Sequence, residues 1–158
     1  MVDEHRRSTS TELPAFDSRG RLPKGIHKAS WDEFTARFAT TGRRRELLLG
    51  LIEAIELLRQ ADCPTIYIAG SFVTAKQKPG DIDVVWEGID TDWRYLRRLE
   101  PLFFEMTPGS PRQKARFGCE FFPAQGIELG SGQTYYEFFQ RDRHGRQRGM
   151  VRIEIGSL

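Results

Sequence analysis

The chain has 158 residues, 39% of them hydrophobic and 29% charged, which is enough apolar material for one domain with a sizeable core. Its 24 basic and 22 acidic residues leave a net charge of +2, too small an excess to argue for nucleic-acid binding from charge alone. No apolar run approaches the roughly 18 residues of a bilayer span, Met1 to Arg7 has no apolar signal core behind it, and Cys63 and Cys119 lack the spacing of a zinc site or disulfide framework, so the expected setting is the reducing cytoplasm, away from any membrane.

In chain order, residues 1–20 carry only scattered apolar side chains and read as a flexible N-terminal tail, with residues 21–158 as a single domain that begins to fold near Leu22. The Ser30-x-x-Glu33 spacing is a capping box and predicts a short helix to about Phe38. Thr41 to Ala61 carries Leu48, Leu51, Ile52, Ile55 and Leu58 at helical spacing and predicts the longest helix, ended before Pro64. Arg43 to Arg45 at its start oppose the helix dipole, so their charge is free to serve a partner.

Thr65 to Ala69 is β-rich and predicts a strand running into Gly70-Ser71, with a short helical turn over Phe72 to Ala75 and a breaker at Gln77 to Gly80. Asp81 to Trp86 predicts a second strand and Asp92 to Leu99 a helix. Ser110-Pro111 starts another helix with proline at its favoured first position. Gly118 to Phe122 predicts a third strand containing Glu120, Gly132 to Gln140 a helix with Tyr135, Phe138 and Phe139 on its buried side, and Arg148 to Ile155 a last strand. The expected class is a small α/β (α+β) domain, a mixed β-sheet flanked by helices.

The chemistry concentrates in Ala69-Gly70-Ser71 and Asp81-Ile82-Asp83-Val84. On a strand, Asp81 and Asp83 leave the same face about 7 Å apart, because side chains repeat every second residue. Two hard oxygen ligands favour Mg²⁺ or Mn²⁺. Gly70 has no Cβ to block a phosphate, Ser71 offers a hydroxyl, and a helix beginning there would add its positive end. A phosphate cradle beside a metal pair is what metal-assisted phosphoryl or nucleotidyl transfer requires.

This segment resembles the nucleotidyltransferase superfamily that includes polymerase-β-like enzymes and the minimal nucleotidyltransferases of prokaryotes. That pattern is apolar-Gly-Gly/Ser, about nine to thirteen residues, then Asp-apolar-Asp/Glu-apolar; here the nine positions 72–80 separate Ser71 from Asp81. Leu22 to His27, Phe117 to Pro123 and Glu137 to Arg143 look like a small prokaryotic family within it. The resemblance implies a nucleotidyltransferase-like fold and transfer of a nucleoside monophosphate from a nucleoside triphosphate to an acceptor hydroxyl on a protein, an RNA end or a small molecule, in settings that include toxin–antitoxin pairs and defence. Gly70 and Ser71 would hold phosphates and Asp81 and Asp83 the Mg²⁺ or Mn²⁺. A third carboxylate on a neighbouring strand commonly completes such a site as ligand or base.

Glu120 is the candidate third acid, because an acid inside an apolar run needs a cation or a hydrogen-bond partner, and Glu154 competes for the role. Lys76 and Lys78 in the intervening loop, and Lys114 and Arg116 before the third strand, are the basic residues near the motif, with Lys76 assigned to the phosphates. The stretch Arg141 to Arg152 reads as a hairpin with a solvated face rather than a landing strip for phosphates. The Phe121-Phe122 and Phe138-Phe139 pairs read as core, each with one ring inward. His27 and His144 read as surface residues. Two other classes use related features: a catalytically weak nucleotide-binding or partner-interaction module with the same fold, and a glycosyltransferase whose Asp-x-Asp binds a metal with a nucleotide sugar. The upstream Gly-Ser pair and the short chain count against the last.

Overall fold

In the computed structural model, which describes residues 13–158, the capping box forms: the Ser30 hydroxyl accepts the Glu33 amide, the Glu33 carboxylate accepts the Ser30 amide, and helix α1 spans Trp31–Phe38. Thr41 caps the next helix in the same way, accepting the Arg44 amide to start α2, Gly42–Gln60. Its buried stripe is Arg44, Leu47, Leu51, Ala54, Ile55 and Leu58. Leu51, Ile55 and Leu58 are buried as expected, whereas Leu48 is only partly buried and Ile52 is exposed, Leu47 and Ala54 facing the core in their place. The Leu47 to Leu49 run fits two helical stripes equally, and packing selects the one through Leu47.

Strand β1, Gly25–Lys28, precedes α1 and has no counterpart among the elements that the sequence predicts. Strand β2, Thr65–Ala69, runs into a single 3-10 turn at Gly70–Val73, and β3 spans Ile82–Trp86. Helix α3, Trp93–Leu99, a 3-10 turn at Pro101–Phe104 and helix α4, Pro111–Phe117, lead to β4, Cys119–Pro123. The helix expected over 132–140 is reduced to one turn, α5, Tyr135–Phe138, because Gly132 takes a left-handed φ of +73° and the cap at Thr134 starts the helix only there. Strand β5 is Gly149–Glu154.

These strands form one mixed sheet in the order β1-β5-β2-β3-β4. Strand β5 lies parallel to β1 and antiparallel to β2, β2 is antiparallel to β3, and β3 is parallel to β4. Parallel neighbours need a crossover, which the α3–α4 segment supplies between β3 and β4. The larger core, with Phe34, Phe38, Leu51, Leu58, Phe72, Ile82, Val84, Phe117 and Phe121, fills one face of the sheet beneath the helices. On the other face Tyr67, Ala69, Val85, Phe139 and Met150 form a smaller cluster with Phe122, Tyr135 and Phe138 packed against it. One ring of each phenylalanine pair is buried, Phe121 and Phe139, as read from the sequence. Among the described residues no helix is long and apolar enough to cross a membrane.

The boundary of the expected tail shifts. Residues 1–12 lie outside the described residues, but Leu13 and Phe16 pack against the main core. Arg37 donates to the Leu13 and Pro14 carbonyls, and its guanidinium lies 4.4 Å from the Phe16 ring centroid. Two apolar side chains and one arginine suffice to dock a segment whose composition looks unstructured.

Two of the three arginines at the start of α2, Arg43 and Arg44, turn to the chain's own backbone, and Arg45 is exposed. Arg44 is 3% exposed and meets no carboxylate among the described residues; its guanidinium instead donates five hydrogen bonds to the carbonyls of Phe38, Phe72, Thr74 and Lys76. Beside it, Arg43 donates to the carbonyls of Pro79 and Gly80. Together they hold both ends of the 72–80 connection against α2, and burial of Arg44 without an acid lowers its pKa. Planar Nε and Nη donors satisfy several carbonyls at once, which an ammonium cannot do.

Arg44→Met is expected to lower stability by about 3 kcal/mol or more, since it leaves several carbonyls without donors. Arg44→Lys restores little, whereas Arg45→Ala, at an exposed position, changes stability by less than about 0.5 kcal/mol. Urea midpoints of the three variants check this.

Candidate functional site

Alternation along β3 sends Ile82 and Val84 into the helical core and leaves Asp83 on the opposite face, half-buried, with Asp81 just before the strand. The parallel register places Glu120 of β4 directly opposite Asp83, and on the other side Asp83 pairs with Ala69, the last residue of β2. One oxygen from each of Asp81, Asp83 and Glu120 lies within 4.8 Å of the others. The expectation that Glu120 joins the two aspartates is therefore met in geometry. Glu154 is not part of the site: it ends β5 opposite Thr65, the far end of β2 from Ala69, and pairs with Lys28 and Arg152.

The Gly-Ser pair closes on the same acids. Gly70 has a φ of +71°, and a Cβ built there would overlap the Asp83 carboxylate. A side chain at position 70 is thus excluded twice, by backbone conformation and by the acid. The Ser71 carbonyl accepts both the Thr74 amide and the Thr74 hydroxyl, which tightens the turn. The short helical turn expected over Phe72 to Ala75 forms two residues earlier, as the 3-10 turn Gly70–Val73, which is too short to add the positive end of a helix dipole, so the contribution of the pair is close approach and a hydroxyl.

Lys76 is exposed, and the contact that ties it to the fold is made by its backbone, whose carbonyl accepts from Arg44. The lysine that does reach the acids is Lys114 of α4, whose Nζ lies 3.3 Å from Asp81 Oδ2 and 3.4 Å from Glu120 Oε1. Two contacts set its helix in place. A Cβ at Gly50 would overlap the Phe117 carbonyl, so glycine there lets α2 and α4 approach. The buried Gln113 donates to the Leu102 and Glu105 carbonyls and accepts the Phe121 amide, tying α4 to β4.

A second cation comes from the arginine-rich stretch. The hairpin reading holds for its tip, where Arg141 bridges to Gln147 and Arg143 and Arg146 are exposed. Arg148 differs. It stands two residues before Met150 on the face that carries Asp83, is half-buried, donates its Nε to the Phe139 carbonyl, and acts electrostatically on Asp83. Burial lowers the Arg148 pKa while the charge of Asp83 opposes that.

The electrostatics are those of crowded acids. Burial, followed by the charges of Asp81 and Glu120, raises the Asp83 carboxyl to about 7, with Arg148 and Lys114 acting in the other direction. For Lys114, desolvation is outweighed by hydrogen bonds and charge from Asp81 and Glu120, and its pKa rises. Cys119, behind the acids, is buried and free, and burial plus the two aspartates pushes its thiol up, so it is no nucleophile.

Three carboxylates with excess negative charge form a hard oxygen donor set that suits Mg²⁺ or Mn²⁺. An ion with bonds of about 2.1 Å holds its ligand oxygens no more than about 4.2 Å apart. An open cavity of about 730 Å³ lies elsewhere, between Trp31, Ile52, Ile55, Leu57 and Leu158, and includes none of the acids.

Residues 14–154 match a family model described as a family of unknown function, DUF6932, and the chain belongs to that family. Comparison with curated proteins and with solved structures finds no match.

Because the folded Asp83 binds its proton more tightly than the unfolded chain, the contribution of this one group to stability is full below the unfolded value near 4 and is lost as pH rises through about 7. In chelator, Asp83→Asn is therefore expected to be more stable than the parent at pH 8 by on the order of 2 kcal/mol, with the gap nearly closed at pH 4. Thermal unfolding across that range tests this, and a difference independent of pH contradicts it.

Proposed function

We propose that the chain is a metal-dependent nucleotidyltransferase that moves a nucleoside monophosphate from a nucleoside triphosphate to an acceptor hydroxyl. The observation that carries this reading is the convergence of Asp81, Asp83 and Glu120 within 4.8 Å beside a glycine that only an unsubstituted Cα can occupy. Like charges at such separations raise one another's pKa, and a cation held among them relieves that repulsion. A glycine held against them leaves room for a substrate's oxygens.

In this reading Asp81 and Asp83, with Glu120, hold Mg²⁺ or Mn²⁺. The ion would supply charge neutralisation for the phosphates and the leaving pyrophosphate. Gly70 admits the phosphate chain against the backbone and the Ser71 hydroxyl donates to it. Arg148, on the same sheet face, replaces Lys76 as the basic residue assigned to the phosphates. The acceptor oxygen bonds to the α-phosphorus as the bond to the β-phosphate's bridging oxygen breaks, and pyrophosphate leaves with that electron pair. The acceptor proton passes to Glu120, which lies on the edge strand β4, two strands from the end of β2 that leads into Gly70. The acceptor class is a protein side chain, an RNA end or a small molecule, and a toxin–antitoxin or defence setting fits the superfamily resemblance.

The test is incubation of the full chain with each α-labelled nucleoside triphosphate, Mg²⁺ or Mn²⁺, and a cell extract. Label is expected on one macromolecular or small-molecule product, with a loss of on the order of 100-fold or more in Asp81→Asn and Asp83→Asn. Labelling unchanged in both variants would reject the site. Metal-dependent triphosphate binding with no label transferred to any acceptor would instead assign the pocket to nucleotide sensing or partner interaction.

A further inference from the structure

Lys114 touches two of the three acids assigned to the metal. Its ammonium bridges Asp81, just before β3, and Glu120 of β4, and so competes with a divalent ion for an oxygen of each of these two carboxylates. The acids are about one-fifth exposed, 22% and 18%, whereas the lysine side chain is 39% exposed. The ammonium therefore enters from the solvent side on a flexible four-carbon stem, and among the described residues these two acids are its ion-pair partners. The neighbours on α4 are fixed by other contacts: Gln113 to β4, and Arg116 to Glu53 of α2. The helix stays in place whether or not the lysine does.

We infer that Lys114 is a displaceable internal cation: it neutralises the acids when no metal is bound, yields them to the metal, and transfers its charge to the phosphate chain that arrives with it. The inference rests on the nucleotidyl-transfer reading of the same site. An ammonium and a divalent ion repel at this separation, so metal alone must evict the lysine with no new partner for it. Metal arriving with a triphosphate gives the ammonium an anionic partner a few ångströms away, and lysine serves phosphates well as a point charge. Lys114 thereby couples the two ligands: the site fills with metal and nucleotide together and resists metal alone, and the coupling is reciprocal.

The test titrates Mn²⁺ into the full chain, followed by its electron paramagnetic resonance signal, for the parent, Lys114→Met and Lys114→Gln, with and without a non-hydrolysable ATP analogue. Without nucleotide, both variants are expected to bind Mn²⁺ on the order of ten-fold more tightly than the parent. With Mn²⁺ saturating, both are expected to bind the analogue on the order of ten-fold more weakly. Thermal unfolding in chelator identifies either variant that fails to fold, and the other then carries the comparison. Mn²⁺ affinity unchanged or weakened on loss of the lysine overturns the inference while leaving the site intact. Absence of Mn²⁺ binding from parent and variants alike overturns both the inference and the reading beneath it.

Discussion

Three carboxylates pressed together at one end of a sheet repel one another, and much of the structure around them makes sense as the means by which that repulsion is tolerated. Asp83 is forced into place by strand geometry: its neighbours Ile82 and Val84 are fully buried on the helical face, so the acid has no alternative to the other face. Register then brings Glu120 opposite it. Burial first, and then the like charges of Asp81 and Glu120, raise the Asp83 carboxyl to about 7. Lys114 and Arg148 offset part of that rise.

The same constraint bears on the connection 72–80. Gly70 and Asp83 are packed so closely that any side chain at position 70 would meet the carboxylate, and the β2–β3 pairing that sets Ala69 opposite Asp83 requires the intervening loop to close over a short span. Arg44 and Arg43 fix that loop by donating to five of its carbonyls, those of Phe72, Thr74, Lys76, Pro79 and Gly80, while Arg44 also donates to Phe38 at the end of α1. Burying a guanidinium against backbone carbonyls alone carries a large desolvation penalty. It holds a turn and a strand end in a relation that loop residues rich in lysine, glycine and proline would not keep by themselves.

The parts of this that local patterns reveal are those whose meaning is local. Gly70-Ser71 and Asp81-Ile82-Asp83 are readable because a two-residue period and a glycine turn are properties of neighbouring residues. Glu120 is legible because it stands between Cys119 and Phe121, where an acid demands a partner. The cations are not, because a lysine or arginine carries no mark of its destination. Lys76 lies in the motif's own loop yet stays exposed, while Lys114 reaches the acids through the packing of α4 on α2 and β4. Arg148 looks like one more charge in a solvated hairpin, and only its period-two relation to Met150 and Arg152 on β5 hints at the sheet face it shares with Asp83. Strand β1 is four residues of Gly, Ile, His and Lys at a sheet edge, too short and too polar to show alternation.

In the proposed function the acids and the Gly70-Ser71 turn are two halves of one site for a divalent ion and a triphosphate. The most direct measurement is the anomalous diffraction signal of Mn²⁺ in crystals grown with a non-hydrolysable nucleoside triphosphate. The account predicts a Mn²⁺ peak bonded to Asp81, Asp83 and Glu120, with the phosphate chain against Gly70 and Ser71. A nucleotide seated elsewhere, such as the apolar cavity beside Trp31 and Ile52, with no Mn²⁺ at the acids, would contradict it.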